Sequence, residues 1–173
     1  YELMRNTNVK GTEEILRLAS QVKVKPVHLI STLDIFQSVY HSRLDTRSED
    51  DQFPASAIPD SGYAQTKWVA EKLVKAAHAR GIPTCIHRPG MIIGHSQTGC
   101  SNTEDQISRL IKGLIQLGSA PAIDLPMHLT PVDYVSQAIV KLAGQQSAWG
   151  KAFHLSNPQP LSMLELVDYL KSL

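Results

Sequence analysis

The sequence predicts an α/β chain built on a parallel sheet, and three observations carry that expectation. Short apolar runs rich in branched residues alternate with longer segments of helical periodicity. No hairpin signature such as Asn-Gly joins two apolar runs, so the strands must be connected through helices. The polar stretches lie between elements of one continuing pattern, so a single domain over residues 1–173 with no internal boundary is expected.

Each element has its own local reason. From Val9 to Ser20 apolar residues recur at Val9, Ile15, Leu16, Leu18 and Ala19, which is helical spacing with Glu13 and Glu14 outside. "PVHLIS", after Lys25, has the unbroken apolar character of a strand buried on both faces. Residues 37–60, with "RSEDD", two prolines and "PDSG", resist regular structure and imply a long loop. A helix follows from about Tyr63 to Arg80, stopped by Gly81 with Pro83 beyond it. "TCIHR" is the next strand, ended by Pro89 and Gly90.

A helix over Glu104 to Leu117 ends at Gly118. Another is expected from "TPVD" to Gly144, with Thr130 as cap, Pro131 at the first helical position and Asp133 at the positive helix end. "AFHLS" reads as a third strand, and "SMLE" opens a last helix as a capping box from Ser162 to Glu165.

The bulk composition narrows the function classes. The 173 residues are 42% hydrophobic with a net charge of +1. No apolar run approaches the roughly 20 residues of a membrane span, and no basic segment with an apolar core opens the chain. A soluble, cytoplasmic protein is expected, with Cys85 a reduced, buried thiol. Nucleic-acid binding needs a concentrated basic face, which the near-neutral charge does not supply. The chain starts without methionine and closes inside a helical pattern, as expected of a piece of a longer, multidomain protein.

Ligands of open α/β sheets sit beyond the carboxyl ends of the strands, which directs attention to "LISTLDIF" and "HRPGMIIG". Ser31 or Thr32 at the first of these ends, together with a tyrosine opening the next helix, can meet over one carbonyl oxygen. Lys67, four residues after Tyr63, shares its helix face, and its charge favours a phenolate whose unperturbed pKa is about 10. A tyrosine so tuned can protonate a developing alkoxide. A tyrosine and a lysine at this spacing also occur on ordinary surface helices, and small hydroxyl residues often turn a chain leaving a strand.

The order strand hydroxyl, polar loop, Tyr-x-x-x-Lys helix, strand, Arg-Pro-Gly resembles the extended short-chain dehydrogenase/reductase superfamily. Within it the sequence is most similar to the thioester reductase domains of nonribosomal peptide and polyketide synthetases and of carboxylic acid and α-aminoadipate reductases. "NTNVKGTEEILRLA", "HLISTLDIF", "GYAQTKWVAEKLV", "HRPGMIIG" and "HLTPVDYVSQAIVKLA" look like blocks of that family, in family order.

The resemblance implies a Rossmann-like, doubly wound parallel sheet. It implies that the chain is the middle and later part of one reductase domain, because no Gly-x-x-Gly-x-x-Gly or Gly-x-Gly-x-x-Gly phosphate loop occurs in it. By resemblance Tyr63 is the proton donor, Lys67 binds the nicotinamide ribose and lowers the tyrosine pKa, and Thr32 hydrogen-bonds the substrate carbonyl. Asn8 supports the active-site helix and its proton relay, or caps a helix. Pro89, Gly90, Met91 and Ile92 border the nicotinamide, and Arg88 is either part of that segment or a structural salt-bridge partner.

The implied reaction is NADPH-dependent (or NADH-dependent) reduction of an acyl or peptidyl thioester carried on a phosphopantetheine arm, giving an aldehyde or alcohol. The implied partner is an acyl or peptidyl carrier protein. Rival readings are a nucleotide-sugar epimerase or dehydratase using the same tyrosine and lysine, and a carrier-docking fragment without catalysis. His28, His41, His78, His87, His95, His128 and His154 lack the short paired spacing of a zinc site, so no metal is expected.

Overall fold

A computed structural model of the chain describes residues 1–37, 48–51 and 58–172. The elements in the first half are α1 (Glu2–Arg5), a π-helical turn (Asn6–Lys10), α2 (Gly11–Ser20), β1 (Val27–Ile30), a 3-10 turn (Leu33–Phe36), α3 (Gly62–Ala79) and β2 (Thr84–Pro89). They are followed by β3 (Met91–Ile93), α4 (Gln106–Leu117), β4 (Pro126–Met127), β5 (Leu129–Pro131), α5 (Val132–Ala143), a 3-10 turn (Gln146–Ala148), β6 (Ala152–Leu155), β7 (Leu161–Ser162) and α6 (Met163–Ser172). Internal contacts divide these into two compact units, Tyr1–Pro89 with Ile139–Leu155, and Gly90–Ala138 with Ser156–Leu173.

The first unit holds the parallel sheet that the alternating pattern predicts, in the order β1-β2-β6. Val27 pairs with Thr84 and Ile86 with Ala152, so β2 is the central strand, and every residue of it is buried. Val74 of α3 packs on Ile86 and Ala152, with Leu16 and Leu29 against them. That contact fixes α3 on the face opposite the one to which Cys85 and His87 point, because neighbouring strand residues face opposite ways.

The N-terminal helix runs from Glu2 and not from Val9, through the π-helical turn without a break. Its first turns escape the periodicity argument because they bury nothing; Leu3 is almost fully exposed. The helix ending at Ala79 is followed by Gly81 at φ +94°, a conformation that disfavours side chains, which explains the stop. Of the long loop expected over residues 37–60, residues 38–47 and 52–57 lie outside the described residues. Glu49 is described, and its carboxylate accepts the His154 N–H at 2.6 Å.

In the second unit β3 pairs in parallel with β5, and β4 pairs antiparallel with β7. Met127, Met163 and Leu166 form its core against Leu110, Ile111 and Leu114 of α4. Asp105 caps α4 by accepting the Ser108 N–H at 2.7 Å. The capping box of the last helix is present: Ser162 N donates to Glu165 at 2.8 Å and Leu164 N to Ser162 Oγ at 3.1 Å.

One expectation is corrected here. Thr130 and Pro131 are not the cap and first residue of a helix; they lie in β5, and α5 begins at Val132. Buried Thr130 instead accepts the Asn157 N–H, and Asp133 binds the Ser96 N–H and hydroxyl at 2.8 Å each. Beside the parallel sheet, β4 and β7 form a short antiparallel pair that at two residues each is too short to leave a periodic signal.

Candidate active site

The site is assembled in the first unit from three local devices. Ser61 accepts the Ala64 N–H at 3.0 Å and caps α3, placing Tyr63 in the first helical turn. Thr32 leaves β1 in extended conformation, and its hydroxyl accepts the Asp34 N–H at 3.1 Å to start the 3-10 turn. The π-helical turn carries Asn8, whose amide donates to Thr66 Oγ1 at 2.9 Å. Such turns recur at functional sites because they re-aim a side chain.

These devices bring Thr32, Tyr63, Lys67 and Asn8 to one place. The Thr32 hydroxyl lies near enough to the Tyr63 phenol to act on its pKa. Ser31, the alternative in the sequence, is buried with a hydroxyl that has no partner among the described residues. Lys67 Nζ lies 5.9 Å from the centre of the Tyr63 ring and donates to the carbonyl of Ile30 at 2.9 Å, which anchors the ammonium at the end of β1. Asn8 lies inside a continuous helical run, so it is not a cap. Its tie to α3 continues through Thr66, whose hydroxyl donates to the carbonyl of Tyr63 at 2.7 Å.

The electrostatics differ from expectation. Lys67 was expected to lower the Tyr63 pKa, yet burial pushes the phenol above its ordinary value, and the Asp34 carboxylate adds to the rise. The Thr32 hydroxyl acts in the other direction. Lys67 is itself partly buried, and burial lowers its own pKa. Tyr63 is therefore held as the neutral phenol at neutral pH, the form that carries a proton to give. Asp34 is a residue the sequence reading missed; its place two residues after Thr32 in a turn was the available signal.

Pro89 ends β2 in the first unit, while Gly90, Met91 and Ile92 belong to the second. Met91 and Ile92 form β3 with partly exposed side chains. A Cβ on Gly90 would stand 2.9 Å from the carbonyl oxygen of His128, so the backbone approach alone requires glycine. Arg88 takes the structural alternative: it is fully buried and bidentate to Glu71, with Nε to Oε1 at 2.9 Å and Nη2 to Oε2 at 2.8 Å.

The histidines are less scattered than their spacing suggests. Parallel register sets His28 beside Cys85, and His87 follows on the same face, so the ligand-capable atoms of all three lie within 4.8 Å of one another. His28 Nδ1 and His87 Nε2 are 3.1 Å apart, a distance at which one ring donates to the other.

The residues fit one end of a nicotinamide dinucleotide: a lysine ammonium and a phenol stand together at a strand's carboxyl end. No glycine-rich turn that could cradle the pyrophosphate occurs among these 173 residues. A Rossmann-like parallel sheet in a chain that matches an NAD-binding family model defines the class, an NAD-binding α/β protein of the extended short-chain type. The chain belongs to the NAD-binding family described as "Male sterility protein", whose model matches residues 1–139.

Among its relatives, a linear gramicidin synthase of Brevibacillus parabrevis is 41% identical over 172 residues, 99% of this chain and 3% of that protein. The crystal structure of the terminal R domain of the myxalamid PKS-NRPS pathway superposes with a TM-score of 0.89 at 44% identity, covering 99% of this chain and 43% of that one. UDP-glucuronic acid 4-epimerase from Bacillus cereus shares the fold alone, at 20% identity and a TM-score of 0.76 over 96% of this chain and 51% of that one. The chain thus spans about half or less of the length of each of these proteins. No described helix is long and apolar enough to cross a membrane.

Proposed function

We propose that the chain is the middle and later part of a reductase domain that uses NADPH to reduce a thioester carried on the phosphopantetheine arm of an acyl or peptidyl carrier protein, in the cytoplasm. The observation that supports this reading most is the convergence of the Thr32 hydroxyl, the Tyr63 phenol and the Lys67 ammonium at the carboxyl end of β1. The 44% identity to a terminal R domain weighs for the thioester over the sugar nucleotide, since the epimerase likeness extends only to the fold.

In the proposed reaction Thr32 donates its hydroxyl to the substrate carbonyl and orients it. Tyr63 gives its proton to the oxygen as negative charge develops there, and Lys67 stabilises the phenolate left behind. Lys67 and Tyr63 would hold the nicotinamide ribose. The nicotinamide, when bound, supplies the hydride. Asn8, through Thr66, holds the turn of α3 that carries Tyr63.

The test is acyl-thioester-dependent NADPH oxidation by the full-length protein that carries this sequence. Tyr63→Phe should lower kcat about 10²–10⁴-fold, the usual contribution of a positioned acid, with the fold retained by circular dichroism. Near-normal turnover in that variant would overturn the assignment, and turnover of nucleotide sugars in place of thioesters would overturn the substrate class.

A further inference from the structure

We infer that the buried Glu71–Arg88 pair positions the two hydroxyl-bearing residues of the site, joining the helix of Tyr63 to the turn of Thr32 through one guanidinium group. The inference rests on the reductase reading for what Thr32 and Tyr63 do; the pair's geometry stands independently of it.

Thr32 and Tyr63 come from different elements, and neither element fixes the other through apolar packing alone. Apolar contacts such as Val74 on Ile86 are non-directional and tolerate small slides of α3 along the sheet. Glu71 stands on the same face of α3 as Tyr63 and Lys67, four residues beyond the lysine. Its two carboxylate oxygens bond two nitrogens of Arg88, so the helix is fixed in register and rotation against the central strand.

The same guanidinium lies 5.1 Å from the centre of the Phe36 ring, and Phe36 closes the 3-10 turn that Thr32 begins. Its remaining nitrogen, Nη1, donates to the carbonyl of Glu49 at 3.2 Å and faces His154 Nε2 at 3.2 Å. Burial and then the adjacent Arg88 lower the pKa of His154, which keeps that ring neutral and able to accept. One side chain therefore contacts the helix, the turn, the loop residue Glu49 and β6.

Stability alone does not call for this arrangement. Arg88 and Glu71 have side-chain exposures of 0% and 4%, and a buried pair of this kind can commonly be replaced by apolar residues of similar volume with little or no loss of stability. Directional fixing of two reacting groups is what apolar replacement cannot supply, and a displacement near 1 Å is enough to cost about 10²-fold in rate.

The experiment uses the full-length protein with Glu71→Gln, the charge-free double variant Glu71→Leu/Arg88→Met, and each of these combined with Thr32→Val. Wild type is first assayed for thioester turnover with NADPH. Glu71→Gln should lower kcat about 10–100-fold with the cofactor KM little changed. The double variant should regain the thermal midpoint of wild type but not its kcat. In the Thr32→Val background, Glu71→Gln should cause little further loss, because the hydroxyl it positions is already gone.

Recovery of kcat together with stability in the double variant would overturn the inference, as would losses from Thr32→Val and Glu71→Gln that simply multiply. If Glu71→Gln does not fold, the double variant alone decides between these outcomes. A folded wild type without thioester turnover would refute the reductase reading and leave the inference to be read from Tyr63 itself. Its ionisation, followed as tyrosinate absorbance against Tyr63→Phe, should move in the double variant if the Thr32–Tyr63 alignment depends on the pair. An unchanged titration would overturn it.

Discussion

His87 makes the folded state sensitive to acid in a way that can be worked out from its surroundings. The ring is fully buried on β2; Nε2 faces His28 at 3.1 Å, and Nδ1 has no partner among the described residues. Burial, and then the neighbouring His28, lower its pKa from 6.5 to about 4. In the unfolded chain the imidazole takes a proton near 6.5, so between 6.5 and 4 the unfolded state binds a proton that the folded state refuses. The stabilisation is fully present above 6.5 and is lost as pH falls through this window, by about 1.4 kcal/mol per pH unit and about 3 kcal/mol in all.

The perturbation is His87→Phe, which keeps a ring between His28 and Phe153 but removes the titration. Urea unfolding at pH 7 and pH 4.5 should show wild type losing about 2–3 kcal/mol more than the variant between the two conditions. Asp34, whose carboxyl burial pushes upward, acts in the opposite sense but is present in both proteins and cancels. Parallel losses in the two proteins would refute the assignment of the acid sensitivity to His87.

Three further outcomes are expected. Ser61→Ala removes the cap of α3 and should cost about 1 kcal/mol in urea unfolding, with a further decrease in kcat because Tyr63 lies in the freed turn. Gly90→Ala forces a Cβ against the His128 carbonyl and should destabilise by about 1–3 kcal/mol, seen as a lower thermal midpoint. Turnover that needs the Tyr63 phenol protonated should be lost as pH rises through its raised pKa; Asp34→Asn removes a carboxylate that contributes to the rise, and should move that basic limb to lower pH in the kcat profile.

What the sequence determined by itself is local. Helical periodicity with Gly81 as a stop located α3, unbroken apolar runs located β1, β2 and β6, and Ser162 with Glu165 marked the start of α6, because each pattern lies within one turn or one strand. The Tyr63–Lys67 spacing and a hydroxyl at the end of β1 were legible for the same reason. Thr130 and Pro131 misled because a cap pattern and a short strand use the same residues, and pairing with β3 decided between them.

Only the tertiary structure shows how the two strand-end hydroxyls are held. The resemblance singles out Thr32 over Ser31, and the packing treats them differently: the Ser31 hydroxyl is buried without a partner among the described residues, while Thr32 Oγ1 accepts the Asp34 N–H and acts on the Tyr63 phenol. Packing also reverses the expected shift of that phenol, since burial and then a carboxylate from another element raise it. The Arg88–Glu71 pair and the His28–Cys85–His87 cluster arise from strand register and helix docking, which join residues far apart in the chain. Hydrogen-bond partners and desolvation are properties of that packing, and no local spacing encodes them.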